Sequence, residues 1–458
     1  MGTVQVATSA ALAALLLLAW RLRRRGKGSD SSFDVHVARR HLFTVKHDLS
    51  KAPDALQLWV ADMELPSPAH IVDAIVERAR EQTYGYTIQP ATAWERAARW
   101  LVERQGWTHT PASDAFVFSA NVVASLCNLL RAVTVEGDGV VVMVPSYAPL
   151  QECVSGCGRR LVLHSLPRDA NGRYSMDLTK LKQTLSSDGV KVLLLISPHN
   201  PSGRVWTRYE LTELAQVCAE RNVLVVSDEI WADWKLTSST HAAAAFVPFS
   251  SVARACRHVT LNAPTKTFNL AGLHASYLVI EDPKLRERYL AHVSPATLHF
   301  GSTFATTALL AAYDSGPSGA WLDAARAHVR ANVAHLAAEL TRLNLDGFVE
   351  VLPLEATYLI WLDCSALVHR LRLSPPAAGL EAFMLDEARL CISPGSEFDP
   401  TGASDCFVRL NAACPRSTIE LAALQLRQAI ERRATTFERL HSTAISSQPW
   451  GSGITSNV

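Results

Sequence analysis

The chain has 458 residues, 48% of them hydrophobic and 19% charged, and its 44 basic side chains are balanced by 43 acidic ones. That length exceeds what one ordinary core supports, so more than one domain is expected. The near-zero net charge excludes the field of a nucleic-acid or polyanion binder and leaves a small, neutral partner as the better expectation. Nine cysteines, an odd count without a CxxC pair, indicate a reducing compartment and ordinary buried thiols. Even Cys153 and Cys157 read that way, so no metal site is expected.

Residues 1–28 stand apart as a hydrophobic anchor or targeting segment. "TVQVATSAALAALLLLAW", from Thr3 to Trp20, carries no charge, and "RLRRRGK" follows at once. Positive charges placed after the apolar run predict a single membrane anchor with the bulk of the chain facing the cytosol. An organelle-targeting or removed presequence and a soluble cytoplasmic chain are the alternatives.

Residues 29–67 read as an N-terminal arm belonging in part to a small domain. From residue 68 the chain alternates helical periodicity with short β-branched runs. "PAHIVDAIVERAREQ" and "NVVASLCNLLRAV" are helices, and "GVVVMV", "VKVLLLI", "NVLVVS", "HVTL" and "SYLVI" are buried strands. A capping box, Thr207-x-x-Glu210, opens the helix Tyr209 to Arg221. This is α/β grammar, and it assigns a large domain to 68–320 with a mostly parallel central sheet. A long helix around "WLDAARAHVRANVAHLAAELTRL" leads into strands at "VEVLP", "TYLIWLD" and "CFVRLNAA", a smaller α+β domain over 321–435. The tail, 436–458, reads as disordered.

In open α/β sheets, ligands bind beyond the carboxyl ends of the strands. There the sequence places Tyr147 after "VVVMV", Asn200 after "VLLLI", Asp228 at the end of "VLVVS" and Lys266 after "HVTLNAPT". An aromatic, an amide, a carboxylate and an amine thus share one crevice if those strands are neighbours. The set matches the needs of a pyridoxal phosphate site.

The stretches "NAPTKTFNLAGLHAS", "SPHNPSGRVW" and "SDEIWADW" resemble the fold-type I pyridoxal-phosphate enzymes of aminotransferase class I/II. "LWVADMELPSP", which includes Ala61, narrows the likeness to the cystathionine β-lyase, or C-S lyase, branch. The resemblance runs from about Phe33 to Arg432. It implies the pyridoxal-phosphate-dependent transferase fold and pyridoxal 5'-phosphate as cofactor. Lys266 is then the catalytic residue and the cofactor's covalent attachment point, and Asp228 the partner of the protonated pyridine nitrogen. Asn200 would bond the phenolic oxygen, and Tyr147 would stack on the ring. The backbone of Val122 and Val123 would take the phosphate at a helix N-terminus, with Thr265 adding a hydroxyl and Trp231 lining the site. Arg409 would grip the substrate carboxylate, with Ala61 beside it. Tyr86 would reach the phosphate of a second subunit, which makes a homodimer the active unit. Departures from the family are Asn121 for a glycine, Trp231 for a tyrosine, His47 for a tryptophan, and Asp399 for a glycine near the substrate entrance.

Rival motifs fail. "GDGVVVM" lacks the third glycine of a dinucleotide fingerprint, and neither GxxxxGK[ST] nor HExxH occurs. The expected activity is β-elimination from cystathionine or a cysteine S-conjugate, giving a thiol, pyruvate and ammonia. A class I/II aminotransferase is the alternative, and a catalytically silent, membrane-tethered protein a further one.

Overall fold

The apolar runs pair side by side because each is too hydrophobic to leave a face in water. In the computed structural model, residues 33–446 are described, apart from 38, 40, 41, 237–244 and 254. The principal sheet contains β1 (Phe116–Ser119), β2 (Gly139–Val144), β3 (Arg160–Ser165), β4 (Val190–Ile196), β5 (Leu224–Asp228), β6 (His258–Asn262) and β7 (Ser276–Val279). Their order is β1-β7-β6-β5-β4-β2-β3; β7 is antiparallel to both neighbours and the other pairs are parallel.

Helices cover both faces, which is why the central strands lack alternation. They are α1 (Ala69–Arg80), α2 (Ala91–Trp100), α3 (Val122–Val133), α4 (Ala148–Gly156), α5 (Arg208–Glu220), α6 (Pro283–Val293), α7 (Thr303–Ala312) and α8 (Ser315–Arg342). Successive β-strand side chains point to opposite faces, and the core divides accordingly. Val140, Val142, Val192 and Leu194 pack with Leu126 and Leu130 of α3 and Leu285 of α6. Val141, Met143, Leu193 and Leu195 pack instead with Leu211 and Leu214 of α5. The expected capping box forms at α5: Glu210 N-H donates to Thr207 Oγ1 at 3.2 Å, and Thr207 N-H donates to Glu210 Oε2 at 2.7 Å.

A second, antiparallel sheet contains β8 (Glu350–Val351), β9 (Leu359–Asp363), β10 (Ser393–Pro394) and β11 (Phe407–Asn411), in the order β10-β11-β9-β8. The N-terminal arm joins this part of the chain, since Leu56–Gln57 pairs in parallel with Leu390–Cys391.

Two expectations are corrected. The tail does not lose structure at 436: the last helix, α9, runs Arg416–Ser446. Its sequence up to that point contains neither glycine nor proline, so nothing local stops the helix there. The membrane-anchored placement does not stand either. Among the described residues, no helix is long and apolar enough to cross a membrane. The longest, α8 and α9, carry charged residues along their length. The Thr3 to Trp20 run itself lies outside the described residues.

Arg204 ties the two parts of the chain together. It is buried, its guanidinium donates to Glu210 Oε2 at 2.9 Å and to Glu355 Oε2 at 3.0 Å, and Glu355 lies between β8 and β9. Removing one partner of such a network strands the others as uncompensated charge. Arg204→Met is therefore expected to lower stability by roughly 3–5 kcal/mol in urea or guanidinium unfolding.

Candidate active site

Strand order decides which side chains meet. Because β6, β5, β4 and β2 are consecutive neighbours, the loops leaving their carboxyl ends open onto one crevice. Ile196 of β4 lies opposite Asp228 of β5, which in turn lies opposite Leu261 of β6.

Asp228 is 4% exposed, and its carboxylate accepts a hydrogen bond from Ile230 N-H at 3.2 Å. Burial raises its pKa to about 7; the Ile230 bond and the nearby Lys266 oppose that rise. Lys266 follows β6. Part of the residue reaches the crevice surface, but its amine is desolvated, and this lowers its pKa to about 8. The amine donates to the Ala61 carbonyl at 2.7 Å and lies 5.8 Å from the centre of the Trp231 ring. Trp234 fixes the backbone, its Nε1 donating to the Lys266 carbonyl at 2.7 Å.

Arg409 enters from the other sheet. It is buried on β11, with Nη1 donating to Asn200 Oδ1 at 3.0 Å and Nη2 donating to the Trp59 carbonyl at 3.0 Å and Ser393 Oγ at 3.2 Å. Burial pulls its pKa down to about 10. Its Nε is buried without a hydrogen-bond partner among the described residues, as are the hydroxyls of Ser146 and Ser197. Tyr147 is half-buried, and its phenol is raised by burial and lies within electrostatic reach of both Arg409 and Asp228.

Val122 and Val123 begin α3 on the same sheet edge, after β1. The departure at Asn121 has a local reason: it is the N-cap, and its Oδ1 accepts from Ala124 N-H at 2.8 Å. Thr265 is buried beside Lys266. Lys266, Asp228, Asn200, Arg409, Ala61, Tyr147, Thr265 and Trp231 thus come together. Tyr86 does not join them, being fully exposed on a loop held by Thr87, whose Oγ1 lies 2.9 Å from Thr303 Oγ1.

Two of the noted departures face elsewhere. Asp399 turns into its own loop: Oδ1 accepts from Thr401 N-H at 3.0 Å and from Thr401 Oγ1 at 2.6 Å, so it is spent on the turn. His47 sits 3.7 Å from Glu64 Oε1, and burial lowers its pKa.

Sequence reasoning missed Tyr358, which is buried and donates its hydroxyl to the Ala61 carbonyl at 3.0 Å. Its ring packs edge-on against Trp231 at 4.8 Å and Trp234 at 4.9 Å. It missed Asn269 and Asn411 as well. Asn411 Nδ2 donates to the carbonyls of Val60 and Asp62 at 2.9 and 2.6 Å, and Asn269 Oδ1 accepts from Met63 N-H at 2.9 Å. A polar residue amid the apolar run "YLIWLD" and an asparagine amid "FVRLNAA" were the available signals.

The sequence matches the aminotransferase class I and II family over residues 54–426. The chain belongs to that family. It is 36% identical over 409 residues to cystathionine beta-lyase PatB of Bacillus subtilis, covering 87% of this chain and 100% of that protein. It is 31% identical to MalY of Escherichia coli, covering 82% of this chain and 92% of that one. Among solved structures, the PLP-bound C-S lyase of Staphylococcus hominis superposes with a TM-score of 0.78 at 26% identity, covering 87% of this chain and 98% of that one. Cystalysin of Treponema denticola, which contains pyridoxal 5'-phosphate, gives 0.79 at 27% identity over the same shares. The fold-type I architecture and the family's pyridoxal-phosphate dependence follow.

The raised acid carries a test of its own. With a folded pKa of about 7 against roughly 4 in the unfolded chain, the neutral form of Asp228 is favoured by folding. Its contribution is complete below the lower value and is lost as pH rises through the upper one. In cofactor-free protein, Asp228→Asn keeps that contribution, so its stability advantage over the parent should grow between roughly pH 4 and 7 and then level off. Urea midpoints across that range measure it.

Proposed function

We propose that the protein is a pyridoxal 5'-phosphate-dependent carbon-sulfur β-lyase acting on cystathionine or cysteine S-conjugates. One observation carries this reading: a desolvated amine, Lys266, and a buried acid, Asp228, share a crevice with a buried arginine supplied by the second sheet. The relatives support the substrate class.

The residues fit the cofactor. Asp228 is a buried carboxylate whose charged form is disfavoured, and a protonated pyridine nitrogen would supply the cation that makes it comfortable. The free N-H groups of Val122 and Val123 at the start of α3 suit a phosphate. Asn200 would bond the phenolic oxygen and Tyr147 would cover the ring. Thr265 and Trp231 complete the lining.

When bound through its aldehyde to Lys266 Nζ, the cofactor supplies an electron sink for the pair left at the substrate Cα. The protein's own groups do the rest. Arg409 Nη1 and Nη2 form a fork for the substrate carboxylate, which orients Cα-H toward the lysine. With the cofactor in place, Lys266 Nζ would take that proton. A pKa near 8 leaves enough neutral amine at physiological pH to serve as the base. The β-carbon-sulfur bond then breaks, the thiolate leaves, and one water balances the products: thiol, pyruvate and ammonium.

Within this reading, 68–320 holds the cofactor and 321–435 supplies Arg409. The active unit is a homodimer in which Tyr86 reaches the partner's phosphate. Its full exposure, beside the more than half-exposed Tyr84 and Ile88, favours an intersubunit role over a core one.

The purified protein incubated with L-cystathionine and no keto acid should release pyruvate over many turnovers; dependence on an added amino acceptor would make it a transaminase. Lys266→Ala should abolish both turnover and the visible absorption of bound cofactor. Arg409→Lys should keep the colour and lower kcat/KM by roughly 10- to 100-fold, the worth of a lost charged hydrogen bond.

A further inference from the structure

Away from the crevice, three thiols converge where α3 packs on α4. Cys153 lies on α4 and Cys157 caps its end; a spacing of four residues puts both on one helix face. Cys127, in the second turn of α3, meets them from across the helix interface. The Sγ atoms of Cys127 and Cys157 are 3.2 Å apart, and all three sulfurs lie within 4.8 Å of one another. Among the described residues, no other group of three or more histidine, cysteine or acidic side chains closes this tightly. The sequence alone reads these as ordinary buried thiols; the packing of two helices, which spacing does not reveal, brings Cys127 to the other two.

We propose that Cys127, Cys153 and Cys157 form a three-thiolate site for a soft divalent cation, of which zinc is the natural probe. Tetrahedral zinc holds thiolates at about 2.3 Å, which sets its sulfurs about 3.8 Å apart. The Cys127–Cys157 separation of 3.2 Å is shorter than that and no pair exceeds 4.8 Å, so the three sulfurs already stand close to the spacing such an ion needs. Cys157 is buried while Cys127 and Cys153 are half-buried, so the cluster has one side toward solvent by which an ion and a fourth ligand, water, can enter. All-sulfur donors select soft ions over magnesium or calcium. Binding releases three thiol protons and leaves a net charge of minus one on the centre. Arg131, one turn along α3 from Cys127 and electrostatically coupled to it, partly offsets that charge. In the metal-free protein the thiols make only weak contacts: Cys153 Sγ donates to the Val123 carbonyl and Cys157 Sγ to the Cys127 carbonyl, each at 3.8 Å. These are little to give up for a metal bond.

The test uses full-length, reduced, cofactor-loaded protein, titrated with zinc in equilibrium dialysis and with cadmium while following thiolate-to-metal charge transfer in the ultraviolet. The parent should take up one tight equivalent per chain and show the cadmium band. Cys127→Ser and Cys153→Ser should each lose the band and the tight equivalent, whereas Cys218→Ser, at a buried thiol elsewhere, should keep both. The visible cofactor absorption, which depends on Lys266, should persist in every variant, so failure here is separable from failure of the lyase reading. Parent protein that binds no tight zinc, variants that bind it equally, or thiols that yield only a Cys127-Cys157 disulfide would each overturn the proposal.

Discussion

The structure depends on placing two ionisable groups of opposite sign where neither is comfortable. Asp228 is held up to about 7 and Lys266 down to about 8, both chiefly by burial. No strand or helix gains from this arrangement; an apolar pair at these positions would pack at less cost. The penalty persists because the sheet around it is over-determined. β4, β5 and β6 are registered on one another by parallel ladders and buried on both faces, so their carboxyl ends have no freedom to move the two groups into water.

The same logic extends to Arg409, a third buried charge, which comes from a different sheet. Its hydrogen bonds to Asn200, Trp59 and Ser393 bring together a loop after β4, the N-terminal arm and β10. Burying a guanidinium is tolerable when its donors are met, and here Nη1 and Nη2 are met by acceptors that a carboxylate can replace. The two parts of the chain thus meet at a polar contact suited to exchange, while Arg204 and its two glutamates supply a contact that is not.

Much of this was legible in the residues. The central strands announce themselves because parallel strands covered on both sides must be continuously apolar, and the chemistry at their ends stands out against that background. Lys266, Asp228 and Asn200 are readable for that reason, whereas Arg409, in the middle of β11, is readable only through the family resemblance of its stretch. Tyr358 was not, because an aromatic amid "TYLIWLD" looks like core until the Ala61 carbonyl is placed within reach of its hydroxyl. Nor was Asp399 readable: a carboxylate in "EFDPTG" faces either the entrance or its own turn, and only the backbone decides. The thiol cluster needs the α3-α4 packing. Helix α9 outran its expected end because the polarity that reads as disorder also suits an exposed helix, and Arg427 pairs with Glu431 at the favourable spacing of four.

The arm from Trp59 to Asp62 shows how these pieces are coupled. Its four successive carbonyls are all engaged by side chains: Trp59 by Arg409, Val60 and Asp62 by Asn411, and Ala61 by both Lys266 and Tyr358. Asn411 and Arg409 lie two apart on β11, so one face of one strand holds the arm at two points. If Lys266 left Ala61 to bond the proposed cofactor, the carbonyl would not be orphaned, because the Tyr358 hydroxyl remains as donor. A carboxylate arriving at Arg409 competes with Trp59, which keeps no such second guanidinium, though Ser393 Oγ donates to the same oxygen at 3.1 Å. Under the proposed function, each carbonyl that ligand binding would disturb therefore has a reserve donor, so the arm could stay ordered while Lys266 and Arg409 changed partners.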